Sequence, residues 1–334
     1  MAALCHDIGH LPFSHAAEKE LLPPGWRHED ITRELIRSEH MRSLWQTLKV
    51  DPEDIAKIAV GPRHYRDAPF NELDAILYEI IGGDVFGADR IDYLLRDSHH
   101  AGVAYGRFDH YRLIDTMRIL PKEHENTDEP ALGIEDGGLQ SAESLVWARY
   151  LMYSQLYFHS VRRIYDIHLK EFLKALLPTG QYPTDLTTHL EWTDNEVLSA
   201  LLKAARDADH PGHDPGRRIV HRDHFRVVYA RNPEDQAKNL ESARLVYEAL
   251  SNEFGQNAVR RDTYSAESAG HDFPVRVKDG RVMSSLSLSE TLGHVPTFSV
   301  DHVYINPEVR DRAERWLNDH RDAVIPTVNT GSEN

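Results

Sequence analysis

Apolar residues recur at helical spacing through the first half of the chain. Residues 28–39 place Ile31, Leu35 and Ile36 on one side, with acids in the first turn, which predicts an amphipathic helix. Shorter helices are predicted over 42–48 and 52–59. The second opens on Asp51 followed by Pro52, a capping residue and then proline at the first helical position. Residues 71–82 run from Asn71 to a stop at Gly82-Gly83, and 86–98 carry Ile91, Leu94 and Leu95 on one side. A short helix is expected at 109–117. The polar, Gly/Glu/Asp-rich stretch 121–139 reads as a loop or hairpin. Residues 140–177 are apolar nearly all round, which marks a long, central, buried helix.

The texture changes after Pro178. A helix is predicted over 194–207, a loop over 209–217 and an alternating strand over 224–230. Helix returns at 237–254. Strands follow at 258–264 and 274–278, with a hairpin over 277–282 turning at Asp279-Gly280. A last strand at 298–305 and a last helix at 307–318 precede a tail, from Thr327, expected to be disordered. The fold class is therefore mainly α. A helical core over 1–178 is followed by a smaller α+β region over 179–326 and a tail over 327–334. Met1 to Cys5 are apolar with no helix start signal and read as the last turn of a longer helix. The chain is thus expected to begin inside a domain.

Composition narrows the class. The 334 residues are 40% apolar and 28% charged, as in a globular protein. No run approaches the roughly 18 apolar residues of a membrane-spanning helix, and no secretory signal opens the chain. Cys5 is the single cysteine, which excludes an internal disulfide and suits a reducing cytoplasm. The net charge of −16 disfavours a broad grip on nucleic acid. Of the 21 histidines, His6, His10, His15 and His28 fall in the first 28 residues, which points to metal or phosphate chemistry there.

Two blocks concentrate the chemistry. In His6-Asp7-Ile-Gly-His10-Leu-Pro-Phe-Ser-His15, an adjacent imidazole and carboxylate can ligate divalent metal, and Gly9 and Pro12 end the helix just after them. In Gly87-Ala-Asp89-Arg90-Ile-Asp92-Tyr93-Leu-Leu-Arg96-Asp97-Ser-His99-His100, residues Asp89, Tyr93 and Arg96 or Asp97 share a helix face. Carboxylate, aromatic ring and guanidinium on one face suit a metal-bound phosphate with a sugar beside it. The bland reading of that face is a solvated surface laced with ion pairs. Tyr150, Tyr153 and Phe158 read as core.

Together the blocks resemble the HD-domain phosphohydrolases, and within them the dGTPase-like dNTP triphosphohydrolases. The resemblance covers about residues 1–175, including the tract Ala148-Arg-Tyr-Leu-Met-Tyr-Ser-Gln-Leu-Tyr157-Phe-His159. It implies a divalent metal, of an identity among Mg, Mn, Fe, Zn and Ni that the sequence does not distinguish, held by His6, Asp7 and Asp89. The family's first metal-binding histidine lies upstream of such a pair, where this chain has no residues. His10 and His28 are implied to lie against the α-phosphate, with His28 as general acid and Glu18 orienting it. His15, Arg90 and Arg149 are implied on the phosphates. Tyr93, Asp97 and Tyr157 are implied beside the sugar. The implied reaction releases deoxynucleoside and inorganic triphosphate. A nucleotide effector and a homodimer or homotetramer are implied partners, with no membrane. A reading of another class is a nonhydrolytic nucleotide-binding or regulatory protein, disabled by loss of the first histidine.

Overall fold

A computed structural model describes residues 1–16, 18–121, 130–265 and 272–327. Internal contacts divide the chain into two units. The first comprises Met1–Leu156, Gln181–Thr193 and Ser268–Pro296, and the second Tyr157–Gly180, Asp194–Glu267 and Thr297–Asn334. The sequence pattern marks one change of texture, near 178, whereas the chain passes between the units repeatedly.

Helices dominate the first unit, and their ends follow local chemistry. Asp51 accepts a hydrogen bond from Glu53 N at 2.9 Å and caps helix Pro52–Val60. Gly61 stops it at φ +74°, a conformation that favours glycine, and a Cβ there would come within 2.1 Å of the Tyr78 ring. Helix Glu72–Gly82 opens with a reciprocal box. Asp74 N donates to Asn71 Oδ1 at 2.9 Å, and Asn71 N to Asp74 Oδ2 at 3.1 Å. Helix His28–Arg37 buries Ile31, Leu35 and Ile36, as its spacing predicts, and also Thr32. A core of Ala2, Cys5, Ile36, Trp45, Ala56, Ala59, Val60 and Tyr65 joins helix Ala2–Cys5 to helices Glu39–Leu48 and Pro52–Val60. Helix Ala88–Ala101 matches the stretch expected at 86–98 and runs three residues further.

A four-stranded sheet belongs to the same unit. Strand Met117–Pro121 pairs antiparallel with Pro130–Glu135, so the polar stretch is a hairpin, with residues 122–129 outside the described set. Pro130–Glu135 runs parallel to Pro274–Arg276, with Ile134 opposite Val275. Pro274–Arg276 pairs antiparallel with Val282–Ser284 around the expected Asp279-Gly280 turn.

The long apolar tract is not one helix. Helix Leu139–Met152 passes into a π-helical turn, Tyr153–Tyr157, and a separate helix, Ser160–Leu176, begins after His159. The His159 side chain accepts from Val161 N at 3.3 Å and caps the new start. Both helices bury residues of their own, so apolar periodicity carries across the break without recording it.

In the second unit, strand Ser299–Ile305 lies between Arg226–Ala230 and Val259–Ser265, antiparallel to both. Helices Ser242–Phe254 and Arg310–Val324 contribute Val246, Leu250, Ala313 and Leu317 to a core with Tyr229, Val259, Val303 and Ile305. The helix expected over 237–254 is two, Pro233–Lys238 and Ser242–Phe254, parted at Asn239, whose backbone is extended. The expected loop 209–217 contains the start of helix His213–Val220. Pro215 sits in its first turn, where a missing N–H removes no helical hydrogen bond. The tail beyond Thr327 lies outside the described residues. No described helix is long and apolar enough to cross a membrane.

Candidate metal and phosphate site

The His6–His10 segment follows the short helix Ala2–Cys5 and lies against the start of helix His28–Arg37. Gly9 permits that approach, since a Cβ there would come within 2.3 Å of both the His28 carbonyl oxygen and Thr32 N. Buried Thr32 fastens the segment. Its Oγ1 donates to the His6 carbonyl at 3.1 Å and accepts from Gly9 N at 3.0 Å. Asp89 arrives in the first turn of helix Ala88–Ala101, where a carboxylate complements the helix dipole.

His6, Asp7 and Asp89 thereby bring one ligand atom each within 4.8 Å of one another. The His6 ring has a defined orientation, because Nδ1 donates to the Ala3 carbonyl at 2.9 Å. Nε2 then faces Asp7 Oδ2 at 3.3 Å and Asp89 Oδ1 at 3.4 Å, is buried, and makes a hydrogen bond with neither. A neutral ring would aim its lone pair at two carboxylates, so a positive charge belongs between them, either a proton or a cation. With no cation, Asp89 and then Asp7, against the opposing effect of burial, hold the His6 pKa up to about 9. Burial raises the Asp7 carboxyl, but His10 and His6 outweigh it and hold the pKa below its ordinary value. One imidazole nitrogen and two carboxylates form a donor set suited to a divalent cation.

Beside this group lies a second one. His10 and His28 stack with ring centroids 3.9 Å apart, and His15 meets His10 edge-on at 4.4 Å. Glu18 ties them together. Its Oε1 accepts from His28 Nδ1 at 2.8 Å and from His28 N at 3.0 Å, and its Oε2 lies 3.1 Å from His15 Nδ1. Phe13 and Ser14, at φ +61° and +57°, make the left-handed turn that leads into His15. Ligand atoms of His10, His15, Glu18 and His28 also fall within 4.8 Å of one another. Here the donors already serve each other, and the pattern is that of an oriented acid–base imidazole. Burial pushes the Glu18 carboxyl up, but His15 and His28 outweigh it, and its pKa falls far below the carboxylate range. Burial likewise opposes charge on His28, yet Glu18, Glu29 and Asp7 carry its pKa upward. His10 Nε2 lies 3.4 Å from Asp7 Oδ1 and links the two groups.

Arg90 Nε donates to the Gly83 carbonyl at 3.1 Å, and its Nη2 lies 3.3 Å from Asp84 Oδ1. Arg149 Nη1 donates to the Asp84 carbonyl at 3.2 Å, and its guanidinium lies 5.7 Å from the Tyr153 ring centroid. Both guanidiniums thus converge on the Gly83-Asp84 turn. Burial and then the neighbouring Tyr153 raise the Tyr93 hydroxyl well above its ordinary range. Tyr153, expected in the core, is half-buried and neighbours Tyr93. Asp97 is half-buried on helix Ala88–Ala101, about 12 Å along the axis from Asp89. Arg96 pairs with Asp92 at 2.8 Å on the solvated side. Tyr157 belongs to the second unit, where its carbonyl accepts from Arg162 at 2.7 Å.

Residues 1–94 match the HD domain, and residues 108–258 match the HD associated region. The chain carries an HD domain followed by an HD-associated region. The protein YwfO of Bacillus subtilis is 30% identical over 267 residues, covering 74% of this HD-domain chain and 57% of that protein. Deoxynucleoside triphosphate triphosphohydrolase SAMHD1 of Homo sapiens is 28% identical over 281 residues, covering 71% and 43%. A hypothetical protein from Aquifex aeolicus, known from a crystal structure, aligns with a TM-score of 0.79 at 32% identity, over 95% of this chain and 78% of that one. The chain spans about half the length of these two curated relatives.

Sequence reasoning missed several residues of this HD-domain site. Thr32 looked like one polar position on an amphipathic helix. Asp84 sat in a Gly-rich stop. Nothing in the local pattern linked Glu29 to His64, 35 positions away. The available signal was the polar Thr32 within the otherwise apolar face of helix His28–Arg37.

Proposed function

We propose that the protein is a metal-dependent phosphohydrolase that cleaves deoxynucleoside triphosphates to deoxynucleoside and inorganic triphosphate. The observation that carries the reading is His6 Nε2, buried, without a hydrogen bond among the described residues and aimed at two carboxylates, beside an imidazole stack oriented by Glu18. His6, Asp7 and Asp89 would hold the cation. Bound there, a divalent ion supplies a lowered water pKa and neutralises phosphate charge. The similarity to SAMHD1, named for dNTP triphosphohydrolysis, supports the choice of substrate class.

The chain's own residues do the rest. Glu18 takes the hydrogen bond from His28 Nδ1 and so leaves Nε2 to exchange a proton. Water adds to the α-phosphorus and releases a proton to solvent, the bond from phosphorus to the 5′ oxygen breaks with its electron pair on that oxygen, and His28 delivers a proton to it. His10 packs against His28 and limits the angle at which its ring can present Nε2. Arg90 and Arg149 spend part of their donor sets on residues 83–84 and offer the rest to the triphosphate. His15 serves the phosphates, and Tyr93 and Asp97 the sugar. The reading carries with it a cytoplasmic setting, a homo-oligomer and a nucleotide effector.

The test is triphosphate release from each of the four dNTPs with Mn²⁺ or Mg²⁺. Release is expected, and His28→Ala should lower it by about 10²–10⁴-fold with folding intact. Tight nucleotide binding without release from any dNTP would favour a nonhydrolytic regulatory role. A stable His28→Ala protein with near-full turnover would remove His28 from the mechanism.

A further inference from the structure

His28 Nδ1 faces two carboxylates. It donates to Glu18 Oε1 at 2.8 Å, and Glu29 Oε2 lies 3.3 Å from the same nitrogen. That nitrogen carries one proton, so only one carboxylate receives it. Glu29 Oε2 is buried and has no hydrogen-bond partner among the described residues. Its sister oxygen, Oε1, lies 3.5 Å from His64 Nε2. The two side chains are only 19% and 22% exposed. An unpaired buried carboxylate oxygen is costly, which makes its retention beside an acid–base imidazole informative.

The His64 backbone is hydrogen-bonded into a turn. It comes from the turn after helix Pro52–Val60, where His64 N and Tyr65 N both donate to the Gly61 carbonyl, at 3.2 and 2.9 Å. Gly61 in turn lies against the Tyr78 ring. His64 presents its ring to Glu29 from this hydrogen-bonded turn of the first unit. The groups facing His28 are Glu18 from helix Glu18–Leu21, Glu29 from its own helix, His10 and His15 by ring contact, and Asp7 by charge.

We propose that His64 is a positioning residue for His28, acting through Glu29: it anchors one oxygen of the Glu29 carboxylate so that the other stays on the edge of His28 and helps retain its proton. The proposal rests on His28 being the acid. Glu18 fixes the ring, and Glu29 adds a second negative charge that needs no proton of its own. The upward displacement of the His28 pKa, opposed by burial and produced by Glu18 and then Glu29, accords with this division.

Three variants of the full-length, metal-loaded protein test it: Glu29→Gln, His64→Ala and His64→Gln. Two quantities are measured. One is the pH profile of kcat for triphosphate release, and the other is the NMR titration of the His28 imidazole. Glu29→Gln and His64→Ala should move the loss of the His28 proton downward by about one pH unit. At pH above that step, kcat should fall by up to about tenfold, with KM within about twofold. Gln at 64 keeps a donor where Nε2 stands and should restore the profile. Unchanged titration in His64→Ala would overturn the proposal. So would a His64→Gln protein that behaves like His64→Ala. If no dNTP is hydrolysed, the functional reading fails, while the NMR titration still decides the role of His64.

Discussion

In the second unit, Asp262, Asp301 and Asp235 are almost fully buried, and each meets a guanidinium. Arg163 grips Asp262 with two nitrogens, Arg261 holds Asp301 at 2.7 and 2.8 Å, and Arg321 pairs with Asp235, which also accepts from Tyr229 Oη and Asn232 Nδ2. In the first unit, Asp7 and Asp89 meet an imidazole that bonds to neither, and Glu29 keeps an oxygen with no hydrogen-bond partner among the described residues. Fixed cations that cannot lose their proton close off a carboxylate. Imidazoles leave it open to a proton, a metal or a substrate. The same residue type is therefore closed off by fixed cations in one unit and left facing titratable imidazoles in the other.

Four substitutions sharpen or break this contrast. His6→Ala removes the nitrogen that faces two carboxylates. Bound metal, read by elemental analysis, should fall well below one equivalent. Triphosphate release should drop by at least about 10³-fold, the equivalent of several kcal/mol of lost charge stabilisation. Thermal stability without metal should hold, and a large fall in it would show that the first-unit carboxylates are structural after all. Asp262→Ala should do the reverse. It leaves half-buried Arg163 with only Asp166, at 3.7 Å, among the described residues, and denaturant unfolding should register a loss of about 3 kcal/mol while metal content stays unchanged.

Thr32→Val lies between the two. It leaves Gly9 N without its acceptor and the His6 carbonyl without a donor, for an expected cost of about 1–3 kcal/mol. Because Thr32 seats His6, metal affinity should weaken as well. Full affinity in a destabilised variant would separate the seat from the site. The smallest effect belongs to Asp51→Ala, which deletes a helix cap in the first unit and touches none of the candidate metal donors. It should cost about 1 kcal/mol in stability, with unchanged turnover per folded molecule.

Much of the helical framework was legible from the chain. Ile31, Leu35 and Ile36 phase one helix, and Asp51-Pro52, Asn71 and Asp279-Gly280 mark boundaries through local hydrogen bonds. The convergence of residues 6, 7 and 89 was an expectation from family resemblance and needed the fold to be seen. The break at Tyr153–His159 was hidden because burial on both sides sustains one apolar rhythm. The helix at His213–Val220 was hidden because its proline and glycine mimic a loop, although a first-turn proline costs nothing. Glu29 and His64 stayed invisible for a different reason. A carboxylate and an imidazole 35 positions apart carry no periodic signal, and only tertiary packing joins them.

The interleaving of the two units has a consequence for biosynthesis. Strand Pro130–Glu135 waits for Pro274–Arg276, and Arg276 is encoded 141 residues after Glu135. At roughly 5–20 residues per second, the ribosome needs about 7–28 s to deliver that late piece. During this interval the nascent helices emerge with their sheet unfinished, and a chaperone has time to meet them before the last strands arrive.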